Sequence, residues 1–224
     1  MSDKPKKSLS DWYEKPASET EEGRKRLSVY YLALGRFAHR FAQAELSVHF
    51  VLRYYAGMTT EVARALLSGV RIRETGSRLS RLHDIGAIPD EKWDELKRLF
   101  DHLSLINGAR DDLFHYGAIN IAEGDGIVTN AAMALVEDRI TAFKISVESL
   151  DDMTADLRKI LVHLHTSHMG RPPLKATHAA IDEILREPWR YKPQQVHPKK
   201  SRKQASSGPA STQVRKAPPE TSRA

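Results

Sequence analysis

The chain has 224 residues, 40% hydrophobic and 29% charged, with no run near 18 apolar residues, so one globular domain is expected and a membrane-spanning helix is not. Zero cysteines exclude disulfide scaffolds, thiol catalysis and thiolate-held metals, and fit a reducing compartment. The net charge of +6 is uneven: from Lys192 onward eight basic residues face the single acid Glu220, a balance of +7, so the other 191 residues balance at −1 and no basic fold is implied.

In chain order, residues 1–20 read as a flexible N-terminal segment, although Leu9, Trp12 and Tyr13 can dock on a neighbouring surface. The basic start has no apolar stretch behind it, so no secretory signal is expected and the cytoplasm is the default location. Over residues 21–56 Leu27, Tyr30, Tyr31, Leu34, Phe37, Phe41, Ala44, Val48, Val51, Leu52 and Tyr55 recur at steps of three and four, which predicts one long amphipathic helix stopped by Gly57. Thr59 or Thr60 caps a short helix through Leu67. A third piece covers about 71–85, interrupted by Gly76. Pro89, Asp90 and Glu91 open a second long helix, 89–116, with Trp93, Leu96, Leu99, Phe100, Leu103, Ile106, Leu113 and Phe114 as its apolar stripe and Gly117 as its stop.

The period then changes to two. Ile119 and Ile121, a turn over 123–126, then Ile127, Val128 and Thr129 predict a β-hairpin, with Ile140, Ala142, Phe143 and Ile145 as a third strand. Ser149 starts a last main helix, about 150–169, and a short helix through Ile181, Ile184 and Leu185 ends before Pro188. The predicted fold is mainly α: a helical domain over 21–190 with a small β-hairpin insertion at about 118–146. The basic tail, 191–224, has five prolines and no Leu, Ile, Phe or Trp, and reads as disordered.

Polar residues crowd the end of the second long helix: Asn107, Arg110, Asp111, Asp112, His115 and Tyr116. At helical spacing Asp111 and His115 share a face, where a carboxylate orients an imidazole, and Arg110 adds a permanent planar charge suited to phosphate. Such parts move a proton and stabilise charge developing on a phosphate. The bland alternative is a solvated helix cap that complements the dipole.

The stretch Arg110-Asp111-Asp112-Leu113-Phe114-His115 resembles the signature of the HEPN superfamily (higher eukaryotes and prokaryotes nucleotide-binding): an arginine, a polar residue, usually asparagine, several positions and a histidine. A looser likeness covers about 21–169. The resemblance implies an HEPN-like helical bundle and a metal-independent endoribonuclease with no cofactor, whose cleft forms between two copies of the motif in a homodimer. Defence or toxin–antitoxin systems, with a cognate antitoxin or other protein partner, are a common setting. It gives Arg110 the scissile phosphate of RNA, His115 proton transfer at the ribose 2′-OH, and Asp111 the usual asparagine place; Asn107 and Tyr116 flank them as substrate contacts. An acid at position 111 is a departure that repels substrate unless it is paired with Arg110 or His115. The alternative is a non-catalytic adaptor of the same fold, and a third reading leaves nucleic-acid binding to the tail alone.

Glu45 interrupts the first helix's apolar stripe, either reaching Arg110 across the bundle or lying solvated at the stripe's edge. His163, His165 and His168 invite a metal reading, but only the last two share a face of a regular helix and no acid nearby in sequence completes a three-ligand set, so no metal is expected. No Walker loop, dinucleotide fingerprint, HExxH or Gly-x-Ser-x-Gly occurs.

Overall fold

The computed structural model describes residues 20–130, 133, 141–170 and 177–193. The N-terminal segment, the tail beyond 193 and Ile140 of the third strand lie outside them.

The chain is mainly α. Helix α1, Glu21–Tyr55, starts where the Thr20 hydroxyl accepts from the Gly23 amide at 3.0 Å, as an N-cap does. Its three-and-four spacing buries Tyr30, Phe37, Phe41, Ala44, Val48 and Val51 along one face. Tyr31, one residue off that face, is exposed, contrary to the stripe drawn from sequence. The Thr59 side chain caps α2, Thr60–Leu67.

Helix α3, Ile72–Asp84, runs through Gly76 without a break. The glycine serves close packing instead, because a Cβ there would sit 3.3 Å from Cδ1 of Phe100. Pro89 is the N-cap of α4, Asp90–Tyr116, and Gly117 ends it at φ +67°, a conformation that favours glycine.

Strands β1 (Ala118–Ile119), β2 (Gly126–Thr129) and β3 (Ala142–Ile145) form an antiparallel sheet in that order, with Ile119 opposite Ile127 and Val128 opposite Phe143. The predicted hairpin is therefore present with a shorter first strand. Asn120, at φ 61°, turns the chain into a 3₁₀ turn, Ile121–Glu123, which delivers Ile121 to the core instead of continuing the alternation.

Helix α5, Val147–His163, begins earlier than expected from Ser149, because Ser146 is the cap and accepts from the Ser149 amide at 3.2 Å. A π-helical turn, Leu164–His168, extends it, and α6, His178–Arg186, follows. Packing is organised around α1 and α5, which run parallel: Arg36 pairs with Asp151 and, further on, Ser47 meets His165. Helix α4 runs the opposite way, with Glu95 beside His163 and His102 beside Asp156. Leu96, Leu103, Ile106, Leu150, Met153, Leu157 and Ile160 fill the space between them. Among the described residues no helix is long and apolar enough to cross a membrane.

Candidate functional site

The end of α4 leaves the core at Leu113, the last buried residue of the helix. Beyond and around it Phe114, His115 and Tyr116 are exposed, and Asn107, Arg110, Asp111 and Asp112 are partly so. Arg110 is anchored from three sides. Its Nη1 donates to Asp111 Oδ1 at 2.7 Å, and its guanidinium lies 5.3 Å from the ring centres of both Phe41, on α1, and Phe114. Both ring contacts are within cation–π range. The guanidinium thus keeps one direction while remaining open to a ligand, its side chain 38% exposed.

Asp111 does not orient His115. Its second oxygen accepts from Asn107 Nδ2 at 3.1 Å, because helical side chains lean toward the preceding turn, where Asn107 stands four residues back. Asn107, Asp111 and Arg110 form one bonded chain, and His115 stands one turn further on, its ring 6.4 Å from that of Tyr116. The acid next to His115 in charge terms is Asp112. Burial raises the Asp112 pKa, the Asp111 charge raises it further, and His115 opposes both.

Glu45 is half-buried, and no hydrogen bond or ion pair joins it to Arg110 among the described residues. Arg110 crosses to α1 at Phe41 instead, one turn before Glu45. Phe41 and Phe114 are the residues that sequence reasoning assigned to core packing alone. The i, i+4 spacing of Arg110 and Phe114 was a usable signal; nothing in the sequence links Arg110 to Phe41.

The histidines near the end of α5 do have an acid, supplied by α4. His163 Nδ1 is 3.0 Å from Glu95 Oε1, and His168 Nε2 is 3.5 Å from Oε2. Residues five apart diverge on an α-helix, but a turn closed by i to i+5 bonds realigns them, so the π turn brings His163 and His168 to the same carboxylate. His165 goes elsewhere, to Ser47 Oγ at 3.1 Å. The His163 hydrogen bond, above all, holds Glu95 down to about 2. Burial brings His168, bonded through Nδ1 to the Tyr55 hydroxyl, down to about 4. No group of three or more His, Asp or Glu among the described residues is placed to hold a metal ion. A groove of about 550 Å³ lies next to this cluster, lined by Phe50, Arg53, Tyr54, Met58 and His165. Two of its polar groups are already engaged, His165 with Ser47 and Arg53 Nε with the Met58 carbonyl at 3.2 Å.

A buried carboxylate, Asp156, went unnoticed in the sequence because its partners are remote. It accepts from His102 Nε2 at 2.7 Å and from the amides of Arg190 and Tyr191 at 2.9 and 2.8 Å. Residues up to Tyr191 therefore belong to the packed body. Comparison with protein-family models, characterised proteins and solved structures finds no match to this chain.

Proposed function

We propose that this chain is an HEPN-like protein that binds RNA at the C-terminal end of α4 and cleaves it without a metal, within a defence or toxin–antitoxin system. Arg110 carries the reading. A fixed, half-exposed guanidinium held against two aromatic rings, with exposed Phe114, His115 and Tyr116 beside it, offers both halves of single-strand recognition: charge for phosphate and flat faces for bases. In this reading Arg110 takes the scissile phosphate, His115 moves protons at the ribose 2′-OH, and Asn107 and Tyr116 flank the substrate. One arginine and one histidine make a sparse site, and a two-fold axis beside it doubles both, so the working form is a homodimer.

The test is cleavage of single-stranded RNA by purified protein in chelator. Arg110→Ala and His115→Ala should each lose roughly a hundredfold in rate or more, while chelation changes nothing. Wild type and His115→Ala equally inert, with fold and dimer intact, would remove the enzyme.

The second reading, a non-catalytic adaptor that keeps the RNA surface, is favoured by one observation. Asp111 is committed to Arg110 and Asn107, and no carboxylate is hydrogen-bonded to His115 among the described residues. RNA binding that survives His115→Ala, without cleavage by either protein, selects the adaptor.

A further inference from the structure

A cavity of about 290 Å³ opens between α4 and α5, lined by Glu91, Glu95, Arg98, Lys159, His163 and Trp189. Arg98 stands one turn after Glu95 on α4, and Lys159 one turn before His163 on α5, so helical spacing turns all four to one place. Lys159 is out of balance there. It is only 9% exposed, yet among the described residues no ion pair reaches it. Asp156, one turn earlier, is taken by His102 and two backbone amides, and Glu187 pairs with Arg190. What Lys159 has is the Glu187 carbonyl and the Trp189 ring, whose centre is 4.6 Å from its Nζ. A buried ammonium calls for a counter-charge, and two of its three donors remain beyond the one given to the carbonyl. Arg98, exposed at the rim, has no acidic partner among the described residues either.

The third group differs in kind. Glu95, ionised down to about pH 2, can only accept, so Nδ1 of His163 carries the hydrogen of their 3.0 Å bond. The neutral ring then offers Nε2 as a lone pair, and no described residue bonds to it. Behind it His168, brought round by the π turn, lies 3.5 Å from the other carboxylate oxygen and braces Glu95 in place. Turns of this kind recur at functional sites, and this one fixes the orientation of a ring that lines the cavity.

Two cations and one proton acceptor suit a ligand group that carries negative oxygens and a hydroxyl together. A carboxylate at neutral pH has no proton to share, and a phosphodiester has none. Free phosphate or a phosphomonoester, whose second proton leaves at about pH 6, has both. Its charged oxygens meet Lys159 and Arg98 while the proton lies between a remaining oxygen and Nε2. We propose that this cavity binds a phosphate group, free or as a monoester, through Arg98, Lys159 and His163. Its volume is at the low end of ligand sites, which suits a phosphate with a small substituent. Glu91 at the rim is the one uncommitted acid and opposes the anion. Arg98 precedes Arg110 by about 18 Å of helix, and the proposal does not depend on the RNA reading above.

NMR titration of the full chain at about pH 7 and constant ionic strength tests the site, with inorganic phosphate, phenyl phosphate, dimethyl phosphate and acetate as probes. The first two should shift the His163 imidazole and Trp189 indole signals, and dimethyl phosphate and acetate should bind at least about tenfold more weakly. The tighter of the first two tells free phosphate from a monoester. Arg98→Gln should weaken phosphate by about tenfold or more, since it removes a charge-assisted contact, and Glu91→Gln should tighten it. Both positions are exposed, so these variants keep the test open should a change at Lys159 unfold the chain. In urea, about 20 mM phosphate should stabilise wild type and leave Lys159→Met unmoved. The site is overturned by an absence of shifts at His163 and Trp189 up to about 20 mM phosphate, by acetate binding as well as phosphate, or by unchanged affinity in both Arg98→Gln and Glu91→Gln.

Discussion

Acid should weaken this fold first at His168. Its ring is buried, with Nδ1 on the Tyr55 hydroxyl, and burial brings its pKa from 6.5 to about 4; Glu95 opposes that change, and Lys92 and His163 add to it. In the unfolded chain the imidazole titrates near its ordinary value, so between about 6.5 and 4 the unfolded state binds a proton that the folded state refuses. The contribution is complete above the unfolded value and disappears as pH falls toward the folded one. By about pH 4.5 the loss is roughly 2 to 3 kcal/mol, a large share of a typical domain's stability. Glu95 barely contributes in that window, since its contribution is present above 4.5 and lost as pH falls toward about 2. Urea unfolding at about pH 7 and about pH 4.5, with wild type beside His168→Gln, isolates the effect. Glutamine keeps a partner for Tyr55 and does not titrate, so wild type should lose roughly 2 kcal/mol more than the variant between the two conditions. Equal losses, or an NMR titration placing His168 above about pH 6, would refute the argument.

Asp156→Ala removes the acceptor of the buried His102 ring and of two part-buried amides and should cost about 3 kcal/mol in urea unfolding; a cost below about 1 kcal/mol would mean that water replaces the carboxylate. Gly126→Ala places a Cβ 3.0 Å from Ile145 Cγ2 and 3.2 Å from Ala118 Cβ, an overpacking worth about 1 to 3 kcal/mol of destabilisation. Gly108→Ala, on α4 where an added Cβ meets no described residue outside its own helix within 4 Å, should stabilise by about 0.5 to 1 kcal/mol, so thermal melts of the two should move in opposite directions. The proposed homodimer predicts a dimeric sedimentation coefficient at roughly tens of micromolar; a monomer throughout that range argues against a shared cleft.

What was legible in the sequence follows from the range of each interaction. Helix spans were largely readable because their causes are local: Thr59 caps, Gly117 stops, and apolar residues recur at three and four. The errors fall where a remote neighbour decides. Gly76 looks like a breaker until Phe100 is seen against it, and Ile121 fits a strand until the core takes it. The π turn defeated the helical wheel drawn for His163 and His168, since a sequence carries no mark of a changed period. Of the candidate site, the bunching of Asn107, Arg110, Asp111, His115 and Tyr116 at one helix end was readable. Of their partners only Arg110 for Asp111 was readable, as one of two alternatives: Asp111 also bonds Asn107 and not His115, and Arg110 found Phe41 rather than Glu45.

Along α4 the polar residues divide by what surrounds them, and the division decides what a mutation there can mean. Glu95 and His102 face the interior and bond to α5, so replacing either leaves a buried charge or ring without its partner. A loss of RNA binding in such a variant would report folding as much as function. Arg110 and His115 lie where the helix has left the core, and the Arg110–Asp111 pair is open to water. An exposed pair of this kind contributes at most about 1 kcal/mol, and the ring contacts of Arg110 add a similar amount. Together these contacts stabilise the fold by about 1 to 2 kcal/mol, less than the buried pairs nearer the start of α4, while Phe114, His115 and Tyr116 stay in solvent. Apolar and aromatic surface exposed beside a held charge suits the ligand proposed above, and an Arg110 or His115 variant tests that proposal once urea unfolding shows its fold intact.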